Sequence, residues 1–166
     1  MTPARIAASL ARATGAALAL AALAACQRAP APDVRYTLLD GREQQLSELR
    51  GRVVLVDFWA SDCAPCVAEM PRLAQTWRRF APQGFATLAV AMPYDPPAQA
   101  IAFARSRALP FGVVLDLGGR FADAFGHVEA TPTTVLIDKR GRIAARWIGT
   151  TDFDALEKQL AQLLKE

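Results

Sequence analysis

Two cysteines, Cys63 and Cys66, stand two residues apart in the segment WASDCAPCVAEMP, and they offer the most specific chemistry in the chain. Thiols at this spacing can ligate a metal ion, close a structural disulfide, or alternate between a dithiol and a disulfide. The chain has three cysteines, and the third, Cys26, lies far upstream. The residues around the pair must therefore decide among these chemistries.

The residue counts favour redox chemistry over the other two. A zinc site needs about four ligands, usually a second cysteine pair or histidines. The chain has one further cysteine and a single histidine, His127, which we expect in a loop rather than on a metal. A structural disulfide that closes so short a loop would constrain few unfolded conformations and stabilise the fold little. We therefore predict a redox-active pair, with the metal and structural sites as alternatives.

The residues after Cys66 predict how the two thiols differ. Apolar side chains follow Cys66 at helical spacing, which predicts a helix over residues 64–80 with this thiol on its buried face. Cys63 then falls at the first turn, where the positive end of the helix dipole would lower its pKa. Cys66, in apolar surroundings, should keep its proton. The helical face consists of Cys66, Met70, Leu73, Trp77 and Phe80.

The remaining segments predict an α/β sandwich built on a mixed sheet. The β-branched and aromatic run Val53–Trp59 predicts a buried central strand that leads into the cysteine loop. Strands and helices then alternate before a closing hairpin and a terminal helix. The other predicted elements are strands at 34–40, 85–92, 111–117, 133–138 and 142–149, and helices at 96–108, 120–125 and 153–165 with Asp152 as N-cap.

The N-terminus predicts export and lipid attachment. Two arginines precede an uncharged run, Ala13–Ala25, which has signal-peptide length and is too short to span a bilayer comfortably. The run ends in LAAC, which resembles the lipobox of bacterial lipoproteins, where the cysteine is lipidated and becomes the first residue of the mature chain. We predict a signal peptide over 1–25, a lipidated Cys26 with a Pro/Ala tether over 26–33, and a domain over 34–166. An ordinary cleaved signal is the alternative.

Charge and cysteine count narrow the function classes further. Removal of residues 1–25 leaves 141 residues, enough for one domain, with 17 basic and 16 acidic side chains. There is no basic run with interleaved aromatics, so we expect no nucleic-acid binding. If Cys26 carries lipid, Cys63 and Cys66 form the one possible intramolecular disulfide. The exported compartment is oxidising and allows that disulfide to form.

These residues carry a family resemblance that covers residue 34 to the C-terminus. VDFWASDCAPC resembles the active-site strand and loop of thioredoxin. The string C-x-P-C-x-x-E-M-P, the inserted segment Met92–Leu117, and ATPTTVLID followed by GRIAARWIG are similar to the TlpA/ResA branch. Members of that branch are membrane-anchored, periplasm-facing thiol–disulfide oxidoreductases. The resemblance implies a thioredoxin-like three-layer sandwich with a central mixed β-sheet and a TlpA-type insertion.

The resemblance also implies roles for matched residues. Cys63 would be the nucleophile and Cys66 the resolving thiol. Pro132 matches a cis-proline that faces the disulfide and leaves the backbone of Thr131 free to pair with an extended substrate. An ordinary trans turn is the alternative for Pro132. Trp59 is expected beside the active-site loop, either in contact with substrate or as a core residue.

Three acidic residues near the pair are candidates for tuning it. Asp57 matches a buried acid beneath the cysteines, where burial should raise its pKa and suit it to carry the proton of Cys66. Its alternative is an outward or paired carboxylate. Glu69 either modulates the site or lies on a solvated helix face. Asp62 stands where relatives usually carry Trp, and its carboxylate would oppose formation of the Cys63 thiolate.

The sequence therefore predicts a periplasm-facing, lipid-anchored reductase of disulfides in exported proteins, with cytochrome c maturation as one example. A membrane thiol reductant would restore the dithiol, and we expect no cofactor, no metal and a monomer. Gln27 follows the lipidated cysteine and leaves outer-membrane sorting open.

Three other classes remain as alternatives. A peroxiredoxin-like peroxidase would need a P-x-x-x-[TS]-x-x-C environment that Cys63 lacks. A copper metallochaperone with a thioredoxin fold would need a wider cysteine spacing and a suitably placed histidine. The third alternative is a non-enzymatic lipoprotein domain.

Overall fold

The computed structural model describes residues 28–166, so Cys26, Gln27 and the predicted signal segment lie outside the described residues. None of the helices within 28–166 has both the length and the apolar character needed to cross a membrane. The strands are β1 Arg35–Thr37, β2 Glu43–Gln45, β3 Val53–Trp59, β4 Phe85–Ala91, β5 Gly112–Leu115, β6 Thr133–Ile137 and β7 Ile143–Ile148. The α-helices are α1 Ala64–Phe80, α2 Pro97–Ser106, α3 Arg120–Ala124 and α4 Phe153–Leu163. Short 3₁₀ turns cover Leu46–Leu49 and Ala81–Gln83.

Five of the strands form one mixed sheet in the order β5-β4-β3-β6-β7. The central strand β3 runs parallel to β4 and antiparallel to β6, while β4 and β5 are parallel and β6 and β7 antiparallel. Strands β1 and β2 form a separate antiparallel hairpin. Part of the segment predicted as an insertion, residues 92–117, becomes helix α2 and the edge strand β5.

Alternation along β3 explains why the molecule has three layers. Val53, Leu55 and Trp59 belong to a core cluster shared with α1, α2 and α4. Val54, Val56 and Phe58 belong to a second cluster with the β1–β2 hairpin and α3. A strand buried on both faces reads as a continuous apolar run, which is the pattern that predicted it. The α/β three-layer sandwich is thus confirmed.

The structure adds elements near the N-terminus that the sequence pattern did not predict. Strand β2 and the 3₁₀ turn Leu46–Leu49 follow the Asp40-Gly41 turn, in which the N–H of Gly41 donates to the carbonyl of Leu38 at 2.9 Å. The β2 sequence EQQ is polar and at most half-buried, so it lacks the alternation that signals a strand. β1 is correspondingly shorter than predicted.

The predicted tether is wrong from residue 28 onward, because this segment is docked on the domain. The N–H of Ala31 donates to the carbonyl of Gly141 at 2.9 Å, and the N–H of Ile143 donates to the carbonyl of Ala29 at 2.8 Å. The guanidinium of Arg28 pairs with Asp138 at 3.1 Å. Since β7 is an edge strand, its unpaired backbone groups are available to this segment.

Candidate active site

The disulfide lies between the end of β3 and the first turn of α1. Residue Cys63 is the N-cap of α1, and its sulfur accepts a hydrogen bond from the backbone N–H of Cys66 at 3.3 Å. Pro65 occupies the first turn, where a missing N–H leaves no helical hydrogen bond unmade. The two sulfurs are bonded at 2.01 Å, with the Cα atoms 5.2 Å apart. The structure therefore holds the oxidised pair at the positive end of a helix.

The two sulfurs have unequal surroundings, as the helical spacing predicted. Cys66 is 2% exposed and packs in the core with Met70 and Leu73. Cys63 is partly exposed at the start of the helix. The unsatisfied N–H groups of the first turn favour a thiolate at Cys63, whereas apolar packing disfavours one at Cys66. An incoming disulfide can thus reach Cys63 and not Cys66.

Asp57 lies inside the core rather than on the outer surface. It is 6% exposed and occupies the β3 position between Leu55 and Trp59, on the face covered by α1. Burial raises the pKa of Asp57 to about 7, although the hydrogen bond from Thr134 lowers it and the charge of Glu69 raises it further. The hydroxyl of Thr134 donates to the carboxylate at 3.2 Å. The alternative of an outward carboxylate is excluded.

Hydrogen bonds connect Asp57 with Glu69 on α1. The hydroxyls of Thr134 and Thr151 lie 3.0 Å apart, and the N–H of Thr151 donates to a carboxylate oxygen of Glu69 at 2.7 Å. Partial burial raises the pKa of Glu69, and its hydrogen bonds from Thr151 oppose this effect. All four side chains line a small cavity of about 10 Å³, which is close to the room that one water molecule needs.

Sequence reasoning missed both threonines of this connection. Thr134 is the direct partner of Asp57 in the β3–β6 register. That pairing becomes visible only once the antiparallel register is known. Thr151 precedes α4 and has no motif around it. Glu69 is half-buried and bonded to Thr151, so the alternative of a solvated helix face does not hold.

The segment before β6 that contains Thr131 and Pro132, here called the proline loop, lies at the same end of the sheet as the disulfide. The Thr131–Pro132 peptide is cis, as predicted, and Pro132 is buried. The next residue, Thr133, pairs with Phe58 near the end of β3 from which the cysteine loop departs. Within residues 28–166, neither backbone polar group of Thr131 bonds to another backbone group. That backbone is therefore available to a partner.

Two exposed apolar side chains flank the proline loop. The Tyr94 hydroxyl lies 3.1 Å from the Thr131 hydroxyl, and 54% of Tyr94 is exposed. Ile148 is 70% exposed and pairs in the sheet with Thr133. Tyr94 was not predicted, because it lies in the loop between β4 and α2 and only the fold brings it beside Thr131.

A second loop contact holds the segment before the cysteines. The N–H of Ser61 donates to a carboxylate oxygen of Asp95 at 2.7 Å, and the Ser61 hydroxyl donates to the other oxygen. Asp95 is buried, and the N–H of Met92 donates to the carbonyl of Trp59 at 2.9 Å. The loop after β4 therefore fixes the position of the turn that carries the exposed Asp62.

Of the two positions expected for Trp59, in contact with substrate or in the core, the structure has the second. Its side chain is 0% exposed and packs on Phe103 with ring centroids 5.1 Å apart. Strand alternation turns its side chain toward α2, so it packs in the core beneath the cysteine loop and not on the surface. His127 is an exposed loop residue that contacts Asp123 at 3.0 Å. Residues 28–166 contain no cluster of three or more His, Cys, Asp or Glu side chains arranged to hold a metal ion.

Comparison with known proteins agrees with this geometry. The Redoxin family model matches residues 27–162. The thiol-disulfide oxidoreductase ResA from Geobacillus thermodenitrificans is 34% identical over 133 residues, which are 80% of this chain and 75% of the relative. ResA from Bacillus anthracis is 31% identical over 136 residues, or 80% and 76% of the two chains.

Solved structures are similar to this chain in both fold and sequence. The solution structure of a protein described as a thioredoxin from Neisseria meningitidis has a TM-score of 0.77 at 32% identity, covering 84% of this chain and 93% of that one. The crystal structure of a protein described as thiol:disulfide interchange protein DsbE from Chlorobium tepidum has a TM-score of 0.75 at 32% identity, covering 83% and 97%. Since both the family match and the ResA relatives extend over most of the chain, including its paired cysteines, this protein belongs to the redoxin family as a ResA-like thiol–disulfide oxidoreductase.

Proposed function

We propose that the protein is exported, faces the periplasm on a lipid anchor at Cys26, and reduces disulfides of other exported proteins. The observation that carries the reductase proposal is the unequal environment of Cys63 and Cys66 at the start of α1. The electrons reside in the cysteine pair itself, so the reaction needs no cofactor. A membrane thiol reductant would return the oxidised pair to the dithiol.

The reaction proceeds by two exchanges between sulfur atoms. The Cys63 thiolate attacks one sulfur of a substrate disulfide, and the other substrate sulfur leaves as a thiolate and takes a proton. Cys66 then loses its proton and attacks the Cys63 sulfur of the mixed disulfide. The second substrate sulfur leaves, the substrate has gained two electrons, and the enzyme holds the Cys63–Cys66 disulfide seen in the structure.

Asp57 is proposed to receive the proton of Cys66 during the second exchange. With a pKa of about 7, its carboxyl group can both accept and release a proton near neutral pH. The hydroxyls of Thr134 and Thr151 and the carboxylate of Glu69 lead from Asp57 toward the surface of α1. The cavity lined by these four side chains has room for about one water molecule, which could carry a proton between Asp57 and Glu69.

The proline loop is proposed to dock the substrate. The unpaired backbone of Thr131 can pair with an extended substrate segment, in the manner of an added strand. Tyr94 and Ile148 then offer exposed apolar contacts on either side. Backbone pairing is insensitive to side chains, so this mode suits a reductase that acts on several proteins.

Asp62 is proposed to weaken the helix effect on Cys63. The helix N-terminus lowers the pKa of the Cys63 thiol, and an adjacent carboxylate raises it. At a separation of about 7 Å, Coulomb's law gives about 0.6 kcal/mol in a water-like dielectric. Asp62 is exposed, so this lower figure applies rather than the larger one for buried pairs. Asp62 therefore makes the protein more reducing than a neutral residue would.

The cellular setting is proposed from the sequence and the family. Apoproteins of cytochrome c and copper-site assembly factors are candidate substrates by the family resemblance. Gln27 after the lipidated cysteine permits sorting to the outer membrane. We propose that the protein acts as a monomer.

Activity on a protein disulfide tests the proposal directly. We expect the dithiol form to reduce the disulfides of insulin, with activity falling to background in Cys63→Ser. A peroxidase, a metallochaperone and a non-enzymatic domain would each fail this assay. Cys66→Ala should accumulate a mixed disulfide with its substrate, because the resolving thiol is absent. The matched control is the double variant with Cys63→Ser, which should trap nothing. Wild-type protein inactive on insulin would sink the reductase proposal.

Asp57→Asn should change both the pH dependence of stability and the second exchange. The native Asp57 carboxyl binds its proton with a pKa of about 7, against about 3.8 when unfolded. Between these values the native state holds more protons, so unfolding free energy falls as pH rises from about 4 to about 7. The contribution is on the order of 4 kcal/mol.

Urea unfolding of the oxidised proteins from pH 4 to pH 8 measures this difference without cysteine titration. The Asn variant should show a smaller decline, with Glu69→Gln as the matched control that changes the slope less. In stopped-flow traces, resolution of the mixed disulfide should slow more than the first attack. Parallel stability curves and unchanged resolution in Asp57→Asn would return the residue to a structural role.

Asp62→Asn should increase the reactivity of Cys63 in the reduced protein. Removal of the charge lowers the pKa of the Cys63 thiol, so more thiolate is present at slightly acid pH. Brief iodoacetamide treatment followed by peptide mapping should show Cys63 alkylated faster at low salt, by up to about threefold, with a smaller difference at high salt. Cys66 should label slowly in both proteins because it is buried. Identical rates for the two proteins at low salt would show that Asp62 does not tune the thiol.

Cys26→Ser tests the lipid anchor separately from the chemistry. The variant should leave the membrane fraction and lose palmitate labelling, while its insulin reduction stays at the wild-type rate. Ala29→Ser, a neutral change nearby, serves as the control that keeps the anchor. Equal palmitate incorporation into wild type and Cys26→Ser would refute the lipobox.

A further inference from the structure

The end of the sheet opposite the disulfide gathers most of the basic side chains. Strands β3, β4 and β5 begin there, β6 and the helices α1 and α2 end there, and the N–H of Gly51 donates to the carbonyl of Lys139 at 2.8 Å. The Lys139 ammonium reaches the carbonyl of Leu164 at 2.7 Å, which brings the C-terminus to the same end. We call this surface the basic pole, formed by Arg50, Arg52, Arg78, Arg105, Arg107, Lys139, Arg140, Arg142 and Lys165.

The charges of the basic pole are largely uncompensated. Within residues 28–166, none of its nine members makes an ion pair with a carboxylate, although Asp33 lines the same surface pocket as Arg50. The carboxylates of Asp40, Asp138 and Glu166 are already paired with two further arginines, Arg28 and Arg42. The chain from residue 28 has 17 basic and 16 acidic residues and is nearly neutral. An excess of positive charge at the basic pole therefore requires an excess of negative charge elsewhere on the domain.

The excess of negative charge lies at the disulfide end of the sheet. Carboxylates cluster at the ends of β3, β4 and β5 and at the start of α4, at the end of the sheet that carries the disulfide and the proline loop. They include Asp57, Asp62, Glu69, Asp95, Asp116, Asp123, Glu129, Asp152 and Asp154. The molecule therefore has a charge asymmetry along the sheet axis although its net charge is near zero.

The chain enters the domain at the basic pole. Arg28 pairs with Asp138 and Glu166, at 3.1 and 3.3 Å, and the following residues lie against Gly141 and Ile143. Outside the described residues lie 27 more, among them the uncharged run Ala13–Ala25 and Cys26. Any lipid on Cys26 is thus attached two residues from this surface, a reach of about 7 Å.

We propose that the basic pole binds anionic lipid headgroups and holds the disulfide end away from the bilayer. The inference rests on the proposed membrane anchor, which brings this surface within reach of the lipids. A basic side chain near an anionic membrane surface strengthens binding roughly fivefold.

Vesicle binding by the full chain tests this surface. The variant combines Arg50→Gln, Arg140→Gln and Lys165→Gln, all exposed and without ion pairs. Arg50 lies against Gly141, the residue after Arg140, and Lys165 follows Leu164, whose carbonyl accepts a hydrogen bond from Lys139. On phosphatidylcholine vesicles with about 30 mol% phosphatidylglycerol we expect binding at least tenfold weaker than wild type at low salt. On pure phosphatidylcholine the two proteins should bind alike.

A matched triple variant controls for net charge. Arg35→Gln, Arg120→Gln and Lys158→Gln remove three exposed basic residues away from the pole that make no ion pair with any described residue. This control should bind anionic vesicles within about twofold of wild type. Both triples should reduce insulin at the wild-type rate, which verifies folding. Equal losses in the two triples, or wild-type binding that ignores phosphatidylglycerol, would overturn the proposal.

The anchor and the pole can fail independently. If Cys26→Ser keeps its palmitate label, the lipobox is wrong, yet a phosphatidylglycerol-dependent difference between the triples still supports the pole. If Cys26→Ser behaves as predicted and the two triples remain alike, the anchor stands and the pole is refuted.

Discussion

The burial of β3 on both faces is the constraint on which the site depends. Its register is fixed by parallel pairing with β4 and antiparallel pairing with β6, so a slip by one residue would turn Asp57 and Trp59 to the wrong layer. Four residues connect the end of β3 at Trp59 to the start of α1 at Ala64. The last of these four is Cys63, which therefore lies at the helix N-terminus. The sulfur environment is thus a consequence of strand packing rather than of the cysteine loop alone.

The same burial brings the pKa of Asp57 close to neutral pH. A carboxylate in the core is disfavoured by several kcal/mol unless it is protonated or paired. The fold offers Asp57 one hydroxyl donor, Thr134, and the nearby charge of Glu69 works against ionisation. Its pKa of about 7 is the balance of these effects. A second donor would lower the pKa and leave a permanent anion beneath the disulfide, which could no longer accept a proton.

Sequence patterns predicted the elements whose burial is continuous. Val53–Trp59 and Ala64–Phe80 match the observed strand and helix at both ends, because apolar runs and helical spacing persist to their last residues. Strand β2 escaped because its side chains are polar and half-exposed. The tether was misread because a Pro/Ala segment carries no sign of the edge strand to which residues 29–31 bond.

Site residues divide along the same line. Cys63, Cys66, Asp57 and Pro132 stand in motifs that a single sequence can show. Tyr94, Asp95, Thr134 and Thr151 act through partners at least 17 residues away in the chain. Only the folded register brings them together. Trp59 shows the limit of a motif, since position beside the cysteine loop did not reveal that alternation points it inward.

Charge separation links the two ends of the molecule. The carboxylates near the disulfide all oppose a thiolate at Cys63, and the N-terminal dipole of α1 favours it. Since each effect is of the order of 1 kcal/mol for exposed groups, the redox poise is a small difference between opposing interactions. Nine of the basic residues lie at the far end of the sheet rather than beside Cys63, where they do not stabilise that thiolate. The chain can therefore be nearly neutral as a whole and still place Cys63 at an end of the sheet where carboxylates cluster.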